Sequence, residues 1–406
     1  MTEKLIAKQY KQHIYPHPIQ DLKAHAEAGG AQEGEPRLYS STIWPTLARM
    51  PDEGKILIAG CGTHQAAYYA YHYPEWSVVG IDLSDESLAH QQYLKEKHAL
   101  DNLELKTMSL LQSNALNAEF DFIVSTGVLH HLVDPVLGLK ALSSVLRDDG
   151  CILLMVYGAT LRTGVYMLQD AFSRLGTASQ NSSDIELVRA TLESLPSEHA
   201  VRRYLSSTSE LEFDTAVVDS FLNPQDTSYD VAGVMTLVES SGLRFHAWVD
   251  RGRYTSKMFH DQAHPIFPRL ENLTEQDKFS VAEKLNQNLG THFFYCKKPD
   301  TEDPDVLGLL RTDKFLDLVP IMSHGVKSRG TDSVGRSLYV KDNREIWILP
   351  EMSEFFSNCG RANVSTIGEL IDAFPAVREF GFDRLREFFV RQFEFGIFTF
   401  RCHMLK

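Results

Sequence analysis

Cysteine is scarce in this chain: five copies in 406 residues, at Cys61, Cys151, Cys296, Cys359 and Cys402. No two are spaced as in a C-x-x-C pair and the number is odd, which argues against a thiolate zinc site and against a disulfide framework. It fits a reducing, cytoplasmic setting. Long apolar runs are also missing. Nothing approaches the roughly 18 consecutive apolar residues of a membrane span. The opening Met1-Thr-Glu-Lys-Leu-Ile-Ala-Lys has no apolar core after its charges, so it does not read as a secretory signal. Basic residues are outnumbered, with 40 Lys and Arg against 54 Asp and Glu and a net charge of −14. An acidic surface repels phosphate backbones and anionic lipid at long range, which disfavours nucleic acid as a partner. Metal is not expected either. His13 and His17 are four residues apart, but Pro16 and Pro18 break the helix that would bring them together.

What is present is an ordinary globular composition, 43% hydrophobic and 23% charged, in a chain long enough for about two to three domains. Residues 1–50 mix aromatics, prolines and glycines and read as an N-terminal arm. From 51 to 299 the pattern alternates short apolar runs with helical stretches, the rhythm of a parallel sheet with crossover helices. The runs 56–59, 77–81, 120–125 and 151–156 are continuously apolar, as expected of strands buried on both faces. Helical spacing fills 85–98 and 135–146. A polar, mainly helical insert without an evident strand spans about 158–229. A helix at 231–241 and strands at 244–249 and 292–297 close the domain. The proline- and acid-rich segment from Lys298 to Asp305 reads as a linker. Residues 300–406 read as short helices, then helices at 366–374 and 382–396 and a final strand at 397–401. That order suggests a small α+β, winged-helix-like module, with its phenylalanines in a core and its surface suited to a second subunit or a peptide.

The chemistry concentrates where the first apolar run meets Gly60-Cys61-Gly62-Thr63-His64. Small residues at such a turn let the backbone approach a nucleoside closely. Asp82 ends the next apolar run, 22 residues after Gly60, where a carboxylate can accept hydrogen bonds from ribose hydroxyls. A dinucleotide fingerprint would need glycine where Gln65 stands, so a nicotinamide site is the weaker reading. His130 and His131 follow the run 120–125 at the carboxyl edge of the sheet. Either imidazole can take a proton near pH 7, or simply order the turn. Tyr157, Arg162 and Tyr166 come after the run 151–156. Arg162 could clamp a carboxylate or phosphate with its planar fork, or serve in a surface ion pair.

Taken in order, Gly60-Cys-Gly62-Thr, Gly80-Ile-Asp82-Leu-Ser, Phe120-Asp-Phe-Ile-Val, Gly127-Val-Leu-His130-His131-Leu and Leu146-Arg-Asp-Asp-Gly150 resemble the motifs of class I S-adenosylmethionine-dependent methyltransferases. The branch they resemble includes quinone-biosynthesis enzymes. The resemblance covers about residues 40–299 and implies a Rossmann-like seven-stranded sheet, with S-adenosyl-L-methionine as cofactor. It implies a cofactor-binding set of Tyr15, Gly60, Cys61, Gly62, Asp82, Leu83, Met108, Ser109 and Gly127. Tyr15, with Tyr10, would belong to a lid formed by the arm. It further implies His130, His131 and Tyr157 as catalytic candidates, Arg162 and Tyr166 as substrate-binding candidates, and a small-molecule or peptide acceptor. The pattern departs from the family at Ile58, His64 and Ser109, where acid, glycine and acid are usual. Those departures keep open a second function, a non-catalytic binding protein that retains the fold.

Overall fold

Buried apolar runs become strands here because both faces of the sheet are covered. β1 (Gly54–Ala59), β2 (Trp76–Asp82), β3 (Leu103–Thr107), β4 (Phe120–Thr126) and β5 (Leu146–Gly158) pair in parallel in the order β3-β2-β1-β4-β5. Ile56, Leu57, Ile58 and Ala59 are wholly buried, as are Phe122, Ile123 and Val124 beside them. Helices α1 (Gln65–His72), α2 (Asp85–His98) and α3 (Pro135–Ser143) make the crossovers. Their ends carry the expected signals. Ser84 caps α2, with Asp85 and Glu86 in its first turn and Lys95, Lys97 and His98 in its last. Asp134 caps α3 with Pro135 behind it. α3 ends at Ser143, short of the expected 146, because Leu146 already pairs with Phe120 in β5.

The insert is built of α4 (Ala159–Arg174), α5 (Ser182–Ser194), the short helix Val201–Leu205 and α6 (Asp214–Phe221). They close around Val165, Phe172, Val188, Val217 and Phe221. It also holds a two-residue strand, β6 (Ser228–Tyr229), which pairs with the end of β5. After α7 (Val231–Ser240), β7 (Arg244–Trp248) and β8 (Thr291–Lys297) complete the sheet, with β8 antiparallel to β5. The full order β3-β2-β1-β4-β5-β8-β7 is the Rossmann-like seven-stranded arrangement that the resemblance implies.

This computed structural model describes residues 16–402 apart from 178, 209, 343 and 361–363. The chain divides into two units. One gathers residues 52–246 and 283–301 with the described part of the first 31; the other gathers 32–51, 247–282 and the described part of 302–406. In the second unit the short helices expected before residue 366 are present at Val306–Leu310, Asp313–Asp317 and Pro350–Asn358, but strands that the sequence reading missed lie among them. Four strands lie there: β9 (Val319–Met322), β10 (Lys327–Thr331), β11 (Ser337–Lys341) and β12 (Arg344–Ile348). β10, β11 and β12 form an antiparallel meander. Helices α8 (Pro350–Asn358), α9 (Ile367–Ala373) and α10 (Phe382–Glu394) follow, and β13 (Phe398–Arg401) pairs with β9. Phe355, Phe356, Phe389 and Phe398 pack into this unit's core as their aromatic crowding suggested, with Phe400 beside them, whereas Trp347, expected there too, is 44% exposed. Among the described residues no helix is long and apolar enough to cross a membrane.

Candidate active site

The turn leaving β1 is held open by its glycines. Gly60, Gly62 and, after β4, Gly127 all have left-handed φ angles of 78°, 53° and 77°, a region that side chains disfavour. A Cβ on Gly60 would stand 2.3 Å from the Val128 side chain, so only glycine lets the two turns approach. The Cys61 thiol is turned into the core, and burial followed by the nearby Asp82 pushes its pKa well up. The Cys61 N–H donates to the Ile81 carbonyl at 3.1 Å, which ties the turn to β2.

Asp82 ends β2 beside this turn. One carboxylate oxygen accepts the Gly62 N–H at 2.8 Å and the other accepts the Ser84 N–H at 2.9 Å. Burial raises its pKa, and those N–H donors work against the rise. Two oxygens held in place by backbone amides keep lone pairs for a vicinal diol. Leu83 next to it is 43% exposed, an apolar platform at the sheet edge. The Met108 N–H donates to the Asp82 carbonyl at 2.9 Å, which brings Met108 and Ser109 to the same edge. The Ser109 hydroxyl accepts the Leu111 N–H and so caps the turn that follows. A glycine cradle, a diol acceptor and an apolar platform fit an adenosyl ligand.

His64, where the family usually has glycine, packs its ring 5.6 Å from that of His25, with Nδ1 3.0 Å from the Thr63 hydroxyl. Burial, then His25 and His90, lowers its pKa to about 4, so it is neutral at pH 7. Thr63 in turn donates to the Pro16 carbonyl at 3.0 Å, and the His17 ring stacks on Phe213 of the insert at 4.7 Å. The start of the described chain thus touches both the glycine turn and the insert. Tyr15 and Tyr10 lie outside the described residues.

Beyond β4 and β5 the other candidates do come together. The His130 ring stacks on Tyr157 at 3.8 Å and lies 4.2 Å from the His131 ring. His130 is wholly buried, and neither ring nitrogen has a hydrogen-bond partner among the described residues. Burial, reinforced by His131 and Arg162, holds its pKa well below the usual histidine value. His131 donates from Nδ1 to the Gln225 carbonyl at 2.9 Å, with Nε2 3.8 Å from Asp219. Tyr157 donates its hydroxyl to that same Asp219 at 2.6 Å.

Arg162 is 2% exposed, so the surface ion pair considered for it is in fact a buried one. Its fork donates to Asp226 at 3.0 Å and to the Tyr204 hydroxyl at 3.3 Å, and its guanidinium lies 3.6 Å from the centre of the Tyr157 ring. Tyr166 donates to the other oxygen of Asp226 at 3.0 Å. Burial, then Asp226, raises the Tyr166 pKa to about 12. The carboxylate held by Arg162 and Tyr166 therefore belongs to the chain itself. Sequence reasoning did not single out Asp219, Asp226 or Gln91. The first two sit in the polar insert, where no periodicity marks an inward carboxylate. Gln91 looks like one more polar residue on a charged helix.

Residues 57–152 match the family model described as a methyltransferase domain. The chain is 30% identical over 263 residues to an uncharacterised protein of Synechococcus sp. (strain ATCC 27144 / PCC 6301 / SAUG 1402/1). That alignment covers 63% of this chain and 63% of the relative, so the chain spans less than two thirds of the length of that protein. Among solved structures, PKMT2 from Rickettsia typhi in complex with AdoHcy superposes with a TM-score of 0.63 at 15% identity. The match covers 90% of this chain and 75% of PKMT2. A second structure of PKMT2 from Rickettsia typhi gives the same TM-score at 14% identity.

Proposed function

We propose, from a methyltransferase domain at residues 57–152 set in a seven-stranded class I sheet, that this protein transfers a methyl group from S-adenosyl-L-methionine to a small-molecule or peptide acceptor. The observation that carries this reading is the turn after β1, with left-handed Gly60 and Gly62 and the amide-held carboxylate of Asp82. The AdoHcy complex of PKMT2, a protein of the same fold, is consistent with it. When bound, the cofactor supplies a methyl group on a positively charged sulfur, and transfer to the acceptor is an in-line displacement.

The residues of this chain would divide the work as follows. Gly60, Cys61, Gly62 and Gly127 offer backbone to the methionine end. Asp82 holds the ribose hydroxyls, and Leu83, Met108 and Ser109 frame the base. A lid formed by the start of the chain, the role expected of Tyr15, is supported by the contacts of Pro16 and His17 with the glycine turn and the insert. His130, neutral at pH 7, has a ring nitrogen that can accept a hydrogen bond from the acceptor, and Tyr157 orients the acceptor through its bond to Asp219. Arg162 and Tyr166 act on the acceptor through Tyr157 and Asp226, fixing the wall against which it aligns. His131 orders the same wall.

The wider assignment rests on the same reading. Residues 51–299 form the catalytic domain, with kinship to the quinone-biosynthesis branch, and the protein works in the cytoplasm. Residues 300–406 form a winged-helix-like module for a second copy or a peptide; the sequence of α9, α10 and β13 supports it. Calorimetric titration with S-adenosylmethionine and S-adenosylhomocysteine tests the core of the proposal, and binding of both is the expected result. Binding of neither overturns it. Transfer of labelled methyl from the cofactor into a cell extract then identifies the acceptor.

A further inference from the structure

A carboxamide inside α2 does a task that the glycine turn cannot do for itself. Gln91 is 0% exposed although its helix is otherwise rich in charge. Its Nε2 donates to the carbonyl of Cys61 at 2.9 Å and to the carbonyl of Gly62 at 3.0 Å. Its Oε1 accepts the N–H of Ala67, in the first turn of α1, at 2.8 Å. One side chain thus binds two carbonyls of the turn and the helix that follows it.

Glycine at 60 and 62 gives the turn freedom to approach a ligand, and that same freedom leaves it without a preferred shape. The Gly62 N–H is held by Asp82. With the carbonyls of Cys61 and Gly62 drawn toward α2 and the Gly62 amide drawn toward β2, the peptide planes of the turn are set from both sides. We infer that Gln91 is a positioning residue for the cofactor: it locks the Gly60–Gly62 turn in the orientation that receives S-adenosylmethionine. The inference rests on the cofactor reading above.

The chemistry of the amide suggests the test. Gln91→Glu keeps the acceptor for Ala67 but faces two carbonyl oxygens with a carboxylate. Loss of two buried hydrogen bonds and the new repulsion should weaken S-adenosylmethionine binding by roughly ten- to a hundredfold at pH 8. A buried carboxyl among acceptors takes up a proton more readily than usual. Protonation restores one O–H donor, so the ratio of variant to wild-type Kd should shrink between pH 8 and pH 5.5. Asn102→Asp is the control. Asn102 likewise donates to three carbonyls, those of Ala70, Tyr73 and Trp76, but at the far end of α1. It should lower the melting temperature and leave Kd within twofold. Should Gln91→Glu not fold, Gln91→Met carries the same expectation at pH 8. A Gln91 variant that binds within twofold of wild type overturns the inference, as does an Asn102→Asp protein that loses as much affinity. Wild-type protein that binds no cofactor would instead overturn the reading beneath it.

Discussion

At the scale of the residue, Asp82 and Gln91 show two ways for a polar side chain to serve one turn. Asp82 stands where an apolar run ends, so its place at the sheet edge was legible from spacing alone. Replacing it with alanine removes the carboxylate that accepts from Gly62 and Ser84 and that the proposed function sets against the ribose. Asp82→Ala should weaken cofactor binding by about 1–3 kcal/mol, the usual range for hydrogen bonds to a charged group. Calorimetric titration beside wild type measures it directly, and unchanged affinity would mean the ribose lies elsewhere. Gln91 was not legible. Burial of one polar position on α2 depends on which face of the helix meets the turn, and α2 has almost no apolar stripe to reveal that face.

Among the elements, the insert shows a motif whose reason lies in packing. Arg162 and Tyr166 flank Gly164 in Leu161-Arg162-Thr163-Gly164-Val165-Tyr166, and nothing in that run of residues explains the glycine. In the fold, a Cβ on Gly164 would sit 2.2 Å from the backbone nitrogen of Val201. The contact is with backbone, so no side-chain rotation relieves it. Gly164→Val should therefore push the Val201–Leu205 helix off α4 and cost about 1–3 kcal/mol, the usual range for overpacking. Thermal denaturation would report it, and an unchanged melting temperature would refute the close approach. The parallel strands β1, β2, β4 and β5 were legible for the opposite reason, since burial on both faces leaves a continuous apolar run. The β10–β12 meander was missed because Lys327–Thr331 is exposed along its whole length and is held by backbone pairing.

For the molecule as a whole, the second unit draws together segments that are far apart in the chain, and its charges follow suit. Asp250 is buried beside Lys341 and Arg344, roughly ninety residues later in sequence, with Lys341 Nζ 3.2 Å from Oδ1. Burial alone would raise the Asp250 pKa, but the two cations more than offset it and hold it at about 2. A carboxylate whose folded pKa is depressed contributes stability above its unfolded value, near 4, and loses that contribution as pH falls toward 2. The contribution is about 2 kcal/mol at neutral pH. Denaturant titrations between pH 6 and pH 2 should show it vanish across pH 4 to 2. Asp250→Asn should flatten that part of the curve and lower stability at pH 7; an unaltered pH profile would show that the pair does not stabilise the fold.

β3 (Leu103–Thr107), mostly half-buried or exposed, did not show as an apolar run, but by itself the order of residues was enough to place six other strands of the sheet, the helices α2 and α3, the glycine turn and the carboxylate one strand over. Each of these is local: a run, a cap or a spacing that acts within a few turns of chain. Only the tertiary structure decided that Arg162 holds Asp226, that Tyr157 leans on Asp219, and that Gln91 secures the turn. Those partners are separated by tens of residues, and a buried polar group declares its partner only once packing has removed water from around it.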